Sequence, residues 1–211
     1  MIITLLLLFF VAKASTDTSN DPISKNNKPL IISLPANKYS FLSGSAVLPQ
    51  NLKYDIIRNG KDGVILKLIE ENIANLAKSD KQVDVIEVIG HTDGQALGLL
   101  KCDNERGGNL DKNLEYVAQG TKNVAILCPG SNADLGLMRA LAVVKELQKA
   151  QKQKKSGRFK EMQFRAYSAA QLLLPDDEKF APINRYPNQK RRRIEIRFAQ
   201  LGEYITPDNN P

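Results

Sequence analysis

Between residues 30 and 200 the apolar positions change their spacing several times, and each change marks an element. Leu30 to Leu34 is a short apolar run read as a strand, and Lys38 to Pro49 turns at its Ser/Gly cluster. From Asp62 to Lys78 the apolar residues at 64, 65, 68, 69, 73, 76 and 77 have the spacing of an amphipathic helix. Val83 to Ile89 is apolar at 83, 85, 86, 88 and 89, as in a strand buried on both faces. A second helix is read from Leu135 to Lys149, with Leu135, Met138, Ala142 and Leu147 along one face. It leads into Lys149, Lys152, Lys154 and Lys155, solvated cations suited to the negative end of a helix dipole. Met162 to Tyr167 alternates like a strand, and Arg191 to Phe198 is a closing strand. The order strand, helix, strand, helix, strand, strand predicts an α/β two-layer sandwich, a mixed sheet with two helices on one face. No internal repeat is visible.

Residues 95–130 break this rhythm with Gly107-Gly108, several Asn, both cysteines and one short apolar run, Val124 to Leu127. The ends are different again. Residues 15–30 are Ser, Thr, Asp, Asn, Lys and Pro with little apolar content, the composition of a flexible linker, and 201–211 reads as a loose tail. Ile2 to Ala12 is a stretch of 11 residues, apolar except for Thr4, short of the roughly 20 that span a bilayer. Ala12-Lys13-Ala14 has the small-x-small form of a cleavage site, but no positive segment precedes the run. Two readings of residues 1–14 stand: a short signal peptide, or a membrane anchor whose start lies upstream. Both export the remainder, to the periplasm, and the second holds it to a membrane.

An exported location changes the meaning of the cysteines. Cys102 and Cys128 are the only two, and an even count in an oxidising compartment points to a disulfide, with two buried thiols as the alternative. Closing that loop would add about 3 kcal/mol in the chain-entropy model. One histidine and no C-x-x-C leave no metal site to expect, and no cofactor motif is present. The net charge of +7 suits a polyanion: nucleic acid, an anionic membrane surface or an acidic cell-wall polymer.

The chemistry is concentrated in two stretches. Val88-Ile-Gly-His-Thr-Asp-Gly94 reads as a strand that ends at a glycine and exposes Thr92 and Asp93 on a loop. Asn132-Ala-Asp-Leu-Gly-Leu-Met-Arg-Ala-Leu-Ala-Val143 reads as a helix start, with Asn132 as N-cap and Arg139 about two turns in. In that order they resemble the signature of the OmpA/MotB C-terminal domain family, a GHTD strand end followed by N-x-x-L-S-x-x-R-A-x-x-V, with Gly136 where the pattern has Ser. Phe41 to Leu48 is similar to the family's opening F-x-x-G-S-A-x-L, which the resemblance sets beside the strand ending at Gly90. Ala166-Tyr-Ser168 stands where the family has G-Y-G. Arg191 to Ile196 stands where it has N-R-R-I-x-I, with Arg191 replacing the Asn.

The resemblance implies an OmpA-like sandwich over residues 31–200 with a long insert between the second strand and the second main helix. It implies non-catalytic binding of peptidoglycan through the diaminopimelate of the stem peptide. Asp93 would pair with the ammonium of that residue, and Arg139 would fork onto its carboxylate, a geometry Lys cannot copy. Backbone N–H groups at the helix start, near Asn132 to Leu135, would add donors for the anion. Thr92, Asn132 and Arg192 complete the candidate set. Each also has a local reading: a loop hydrogen bond, a helix cap and a strand pairing. The insert leaves a role over the site, a homodimer contact or a membrane-protein partner open.

Three alternatives compete. A MotB-like stator subunit of an ion-driven motor would need an acidic residue in its membrane helix, and residues 2–12 contain none. Nucleic-acid binding through Lys149–Lys160 and Lys190–Arg193 lacks the stacking aromatics of a single-strand platform. A hydrolase finds no G-x-S-x-G elbow and no zinc motif, and Asp176-Asp177 reads as a solvated pair. The expectation is therefore a binding domain, not an enzyme and not a nucleic-acid partner.

Overall fold

Strict alternation in strand β1 (Ile31–Pro35) buries Ile32 and Leu34 and turns 31, 33 and 35 outward. This comes from a computed structural model that describes residues 30–79, 81–98, 110–175 and 177–201. The readings of 1–14, most of 15–30 and most of the tail lie outside the described residues. Among the described residues no helix is long and apolar enough to cross a membrane.

After β1 the chain runs through the 38–49 segment, which contains no strand, into helix α1 (Gln50–Ile56). A two-residue turn of Asn59 (φ 51°) and Gly60 (φ 76°) then joins β2 (Ile57–Arg58) to β3 (Lys61–Asp62). Positive φ at both positions is what Asn-Gly supplies in a tight hairpin. Helix α2 (Val64–Lys78) buries Ile65, Leu66, Ile69 and Ile73. Its buried face is rotated slightly from the one the spacing predicts: Val64 and Leu68 are 60% and 42% exposed, and Leu66 takes their place in the core.

Strand β4 (Val85–His91) is followed by the insert with helix α3 (Leu114–Gln119), then the long helix α4 (Asn132–Gln153). Next come β5 (Gln163–Ala170), a short hairpin of β6 (Leu173–Leu174) and β7 (Asp177–Phe180), and β8 (Arg193–Ala199). The main sheet has the order β1-β8-β4-β5, with β8 antiparallel to both neighbours and β4 parallel to β5 through the α4 crossover. This is the mixed sheet and two-layer α/β arrangement that the pattern predicts. One pairing differs: the opening strand lies beside β8, not beside β4, and it is 31–35 that forms it rather than the 41–48 motif.

Register explains which side chains become core. Ile32 lies opposite Ile196, Ile196 opposite Val88, and Ile86 opposite Phe164. Together with Ile69, Val143 and Leu147 from the helices, these apolar residues form one buried cluster. Ile86, Ile196 and Leu147 have no exposed surface, and burying each contributes about 1.5–3 kcal/mol.

The insert has its own anchorage. Val117 and Leu127 pack with Met138 and Leu141 of α4 and with Ala46, a second small core on the flank of that helix. Cys128 is disulfide-bonded, and no described cysteine is free. Cys102 lies outside the described residues, and with it the Cys102–Cys128 pairing. At the far end of α4, Lys154 is not the solvated cation expected. Its Nζ lies 2.6 Å from Asp62 and 2.7 Å from Glu70, joining the helix end to β3 and α2.

Candidate functional site

The GHTD stretch continues the strand two residues further than its apolar pattern suggests. Gly90 and His91 belong to β4, and Thr92 to Gly94 leave its end. Gly90 has a steric reason. A side chain there would run into the backbone of Gly136 in the first turns of α4, so two glycines let helix and strand meet backbone to backbone. A Cβ at Gly136 would in turn lie 2.8 Å from the Gly90 carbonyl and 3.3 Å from Ser168 Cβ, with Ser168 Oγ closer still. Two of the departures from the resembling motifs, Gly for Ser at 136 and Ser for Gly at 168, are thus neighbours across one contact.

Asp93 is buried, 6% exposed, and its carboxylate is held by backbone donors. Oδ1 accepts from Gln95 N at 3.3 Å and Oδ2 from Asn188 N at 3.0 Å, while Arg192 Nε lies 3.6 Å from Oδ2. Gly94 packs directly on the Asn184 carbonyl, which docks the 184–192 segment beside the acid. Asp93 is therefore more than a turn residue before a glycine.

Arg139 is 5% exposed and faces the 41–45 segment. Its Nε donates to Ser45 O at 3.0 Å, its Nη2 donates to Leu42 O at 3.1 Å, and its guanidinium sits over the Phe41 ring at 5.0 Å. Burial, with the charge of Arg192 behind it and Asp93 opposing, pulls its pKa down to about 10. The motif read as an opening strand is thus a cover for this arginine. The cavity between them, reached by Tyr39, His91, Arg139, Arg192 and Arg193, is about 10 Å³, room for about one water.

The remaining candidates divide. Arg192 joins Asp93 as described, from the turn before β8. Asn132 is not the helix cap: Ser131 is, its Oγ accepting from Asp134 N at 3.2 Å. Asn132 sits at the first helical position, and its amide donates to the carbonyls of Gln95 (2.9 Å) and Asp93 (3.3 Å), fastening the acid's loop to the helix. Thr92 is 2% exposed, and its hydroxyl has no hydrogen-bond partner among the described residues.

Sequence reasoning missed the polar cluster built along β8. Glu195 is buried and accepts from Arg193 Nε at 2.7 Å and Arg197 Nη2 at 2.8 Å. Burial raises its pKa, but contacts with His91, Arg197 and Arg193 outweigh this and hold the carboxyl well below its usual range. Arg193 also donates to the carbonyls of Leu174 and Arg191, and Arg191 to that of Gln171, which bind the β6–β7 hairpin to the sheet. The signal was available: 193, 195 and 197 share one face of a strand with opposite charges alternating.

No family model and no curated protein matches the chain. Solved structures with a similar course include the periplasmic domain of Helicobacter pylori MotB. Its residues 78–256 are 21% identical, with TM-score 0.42, covering 83% of this chain and 79% of that one. Its residues 97–256 are 20% identical, with TM-score 0.39, covering 82% and 83%.

Proposed function

We propose that this chain is a non-catalytic, exported binding domain for peptidoglycan, recognising the zwitterionic side chain of diaminopimelate with Asp93 and Arg139. The observation that carries the reading is the convergence of an acid and two arginines from distant parts of the chain. Asp93 leaves β4, Arg139 lies on α4, and Arg192 precedes β8 at 3.6 Å from Asp93. Asp93 and Arg192 both act electrostatically on Arg139. Both charges keep capacity for a ligand. A carboxylate offers about four acceptor positions and a guanidinium five donors, and each has two committed to the chain's own backbone. Recognition by matched opposite charges breaks no bond, which fits a sequence without a motif for catalysis. In this reading the ligand carboxylate replaces the carbonyls of Leu42 and Ser45 at Arg139, so the 41–45 segment moves aside.

Co-sedimentation with purified diaminopimelate-type sacculi tests it. The parent chain is expected to pellet, and Asp93→Ala and Arg139→Ala to remain in the supernatant with circular dichroism unchanged. A parent chain that stays soluble, or variants that pellet equally, would overturn it.

A further inference from the structure

The end of the main sheet at which the chain enters is strongly basic. Ile31 lies opposite Arg197, Arg197 opposite Glu87, and Glu87 opposite Arg165, so the start of β1 shares one sheet edge with the starts of β4 and β5. With strands about 4.8 Å apart, Ile31 and Arg165 are roughly 15 Å from each other across the sheet. Helix α4 comes to the same edge: it stops at Gln153, and the 158–161 turn leads into β5 at Gln163. Gln151 ties that turn to the helix, its amide donating to the carbonyls of Phe159 (3.0 Å), Lys160 (3.0 Å) and Met162 (2.8 Å). Lys160 Nζ donates to Lys155 O at 3.2 Å.

This fold-back gathers cations with few acids to meet them. Between 149 and 161 the chain has six Lys or Arg and one acid, Glu161. Lys154 is engaged by Asp62 and Glu70, and Lys149 shares Glu146 at 3.1 Å. Lys152, Lys155 and Arg158 are exposed and have no ion-pair partner among the described residues. The same stretch exposes no large apolar side chain, Phe159 being buried. It therefore lacks both the apolar anchor of a protein interface and the stacking platform of a nucleic-acid site. What lies at this edge instead is the entry of the chain from 15–30, a linker by composition, with Leu30 39% and Ile31 37% exposed. In the anchored reading of residues 1–14, this end faces the membrane.

We infer that the C-terminal end of α4 and the turn after it form a docking surface for an anionic phospholipid bilayer, with Lys149, Lys152, Lys155, Arg158 and Lys160 on its phosphate headgroups. The candidate peptidoglycan site is at the other end. Arg139 lies 14 residues before the end of α4, about 20 Å along the helix. Each end of the domain is thus free to bind while the other is occupied.

The test measures partition of the full chain onto vesicles of phosphatidylcholine alone and of equal parts phosphatidylglycerol and phosphatidylcholine. Residues 2–12 contribute to both; the inference concerns the difference. Binding to the anionic vesicles is expected to be stronger and to weaken as salt rises. A basic residue at an anionic surface strengthens binding about fivefold, so Lys152→Gln/Arg158→Gln should lower it about 25-fold and leave partition onto phosphatidylcholine unchanged. Both residues are exposed, and unchanged circular dichroism checks the fold. The control, Arg185→Gln/Lys190→Gln, has the same net charge but removes exposed cations at the far end of the sheet, and should bind as the parent does. Equal partition of the parent onto the two vesicles would overturn the inference. So would equal losses in the two double variants, which would make net charge the cause. Duplex DNA bound as tightly as the anionic vesicles at the same salt, and lost in Lys152→Gln/Arg158→Gln, would replace the bilayer with a nucleic-acid partner.

Discussion

Placing a methyl group at residue 136 tests how α4 is seated on the sheet. In an exposed helix Gly→Ala gains about 1 kcal/mol from backbone entropy. Here the new Cβ would lie 2.8 Å from Gly90 O and 3.3 Å from Ser168 Cβ, with Ser168 Oγ nearer than either. Gly90 cannot yield cheaply, because it is backbone in the central strand β4. Overpacking costs about 1–3 kcal/mol, and two contacts below 3 Å, one of them backbone, put this case in the upper part, about 2–3 kcal/mol, so Gly136→Ala should lose roughly 1–2 kcal/mol net. For a domain of this size that is about 2–8 °C in Tm. Ser168→Gly removes both the Oγ and the Cβ from the contact. It should itself cost about 1–2 kcal/mol, through glycine in a strand and the loss of the bond that Ala170 N makes to Ser168 Oγ at 3.2 Å. In the Ser168→Gly background, however, the methyl introduced by Gly136→Ala meets only the Gly90 carbonyl, and its helix-propensity gain should nearly cancel the remaining strain. Denaturant unfolding of the four species would then give a coupling of about 1 kcal/mol or more in favour of the pair. If Gly136→Ala costs the same in both backgrounds, to within the roughly 0.3–0.5 kcal/mol of ordinary additivity, the contact does not set the helix position and the reasoning fails.

Other perturbations follow from the same geometry. Because the Glu195 carboxyl is held below its ordinary value of 4.5, the unfolded chain takes up that proton first as pH falls. Its contribution is full above about pH 4.5 and is lost below. Glu195→Gln should therefore be less stable at neutral pH, by about 3 kcal/mol, and flatter below 4.5 in urea midpoints; parallel pH profiles would contradict this. Lys154→Ala, by parting Asp62 from Glu70 at a partly exposed site, should lower stability by about 1 kcal/mol, less so in high salt. Gly94→Ala must push Asn184 away and should weaken sacculus binding while far-UV dichroism is preserved. Phe41→Ala removes the ring from Arg139, so if the 41–45 segment is a cover, sacculus affinity should rise about 2- to 5-fold, whereas a fall would make Phe41 part of the receptor.

How much is legible in the sequence follows the physics of each element. Strands and helices that meet a single large core announce themselves by period: β1, β4, β5, β8, α2 and α4 are all visible in it, with ends displaced by a few residues. The displacement at β4 is instructive. Gly90 and His91 extend the strand because Gly136 and the antiparallel partner Arg193 are there to receive them, and neither is a local property. The α1 helix and the β6–β7 hairpin escape the period because they are held by particular contacts with other elements. Tyr39 Oη donates to Asp55 in α1 at 2.6 Å, and Arg193 donates to the Leu174 carbonyl at 3.2 Å. In the candidate site, the motif resemblance names Asp93, Arg139 and Arg192 but not their surroundings. A one-dimensional motif carries identity and spacing; it does not show that Leu42 and Ser45 turn their carbonyls onto Arg139.

That last contact alters what kind of receptor the proposed function describes. An arginine exposed on a helix would lose side-chain entropy when a ligand arrives; Arg139 has already lost it, because its fork is fixed by two carbonyls and a ring. The same holds for Asp93, fixed by two amides. In the proposed reading the site is rigid in its charges and closed in its access, and the cost of binding moves to the segment that covers it. That segment has the means to move. Gly44 sits at φ 63°, Leu42 is 76% exposed at its tip, and its residues contribute little to the main core beyond Phe41. Affinity in such an arrangement is set by the difference between carboxylate and carbonyl as partners for one guanidinium. Charge-assisted bonds are roughly twice as strong as neutral ones, so the exchange favours an anionic ligand over the closed state, whereas a neutral sugar has nothing to offer in return. Selectivity for a charged stem peptide over bare glycan would then come from the cover as much as from the charges beneath it.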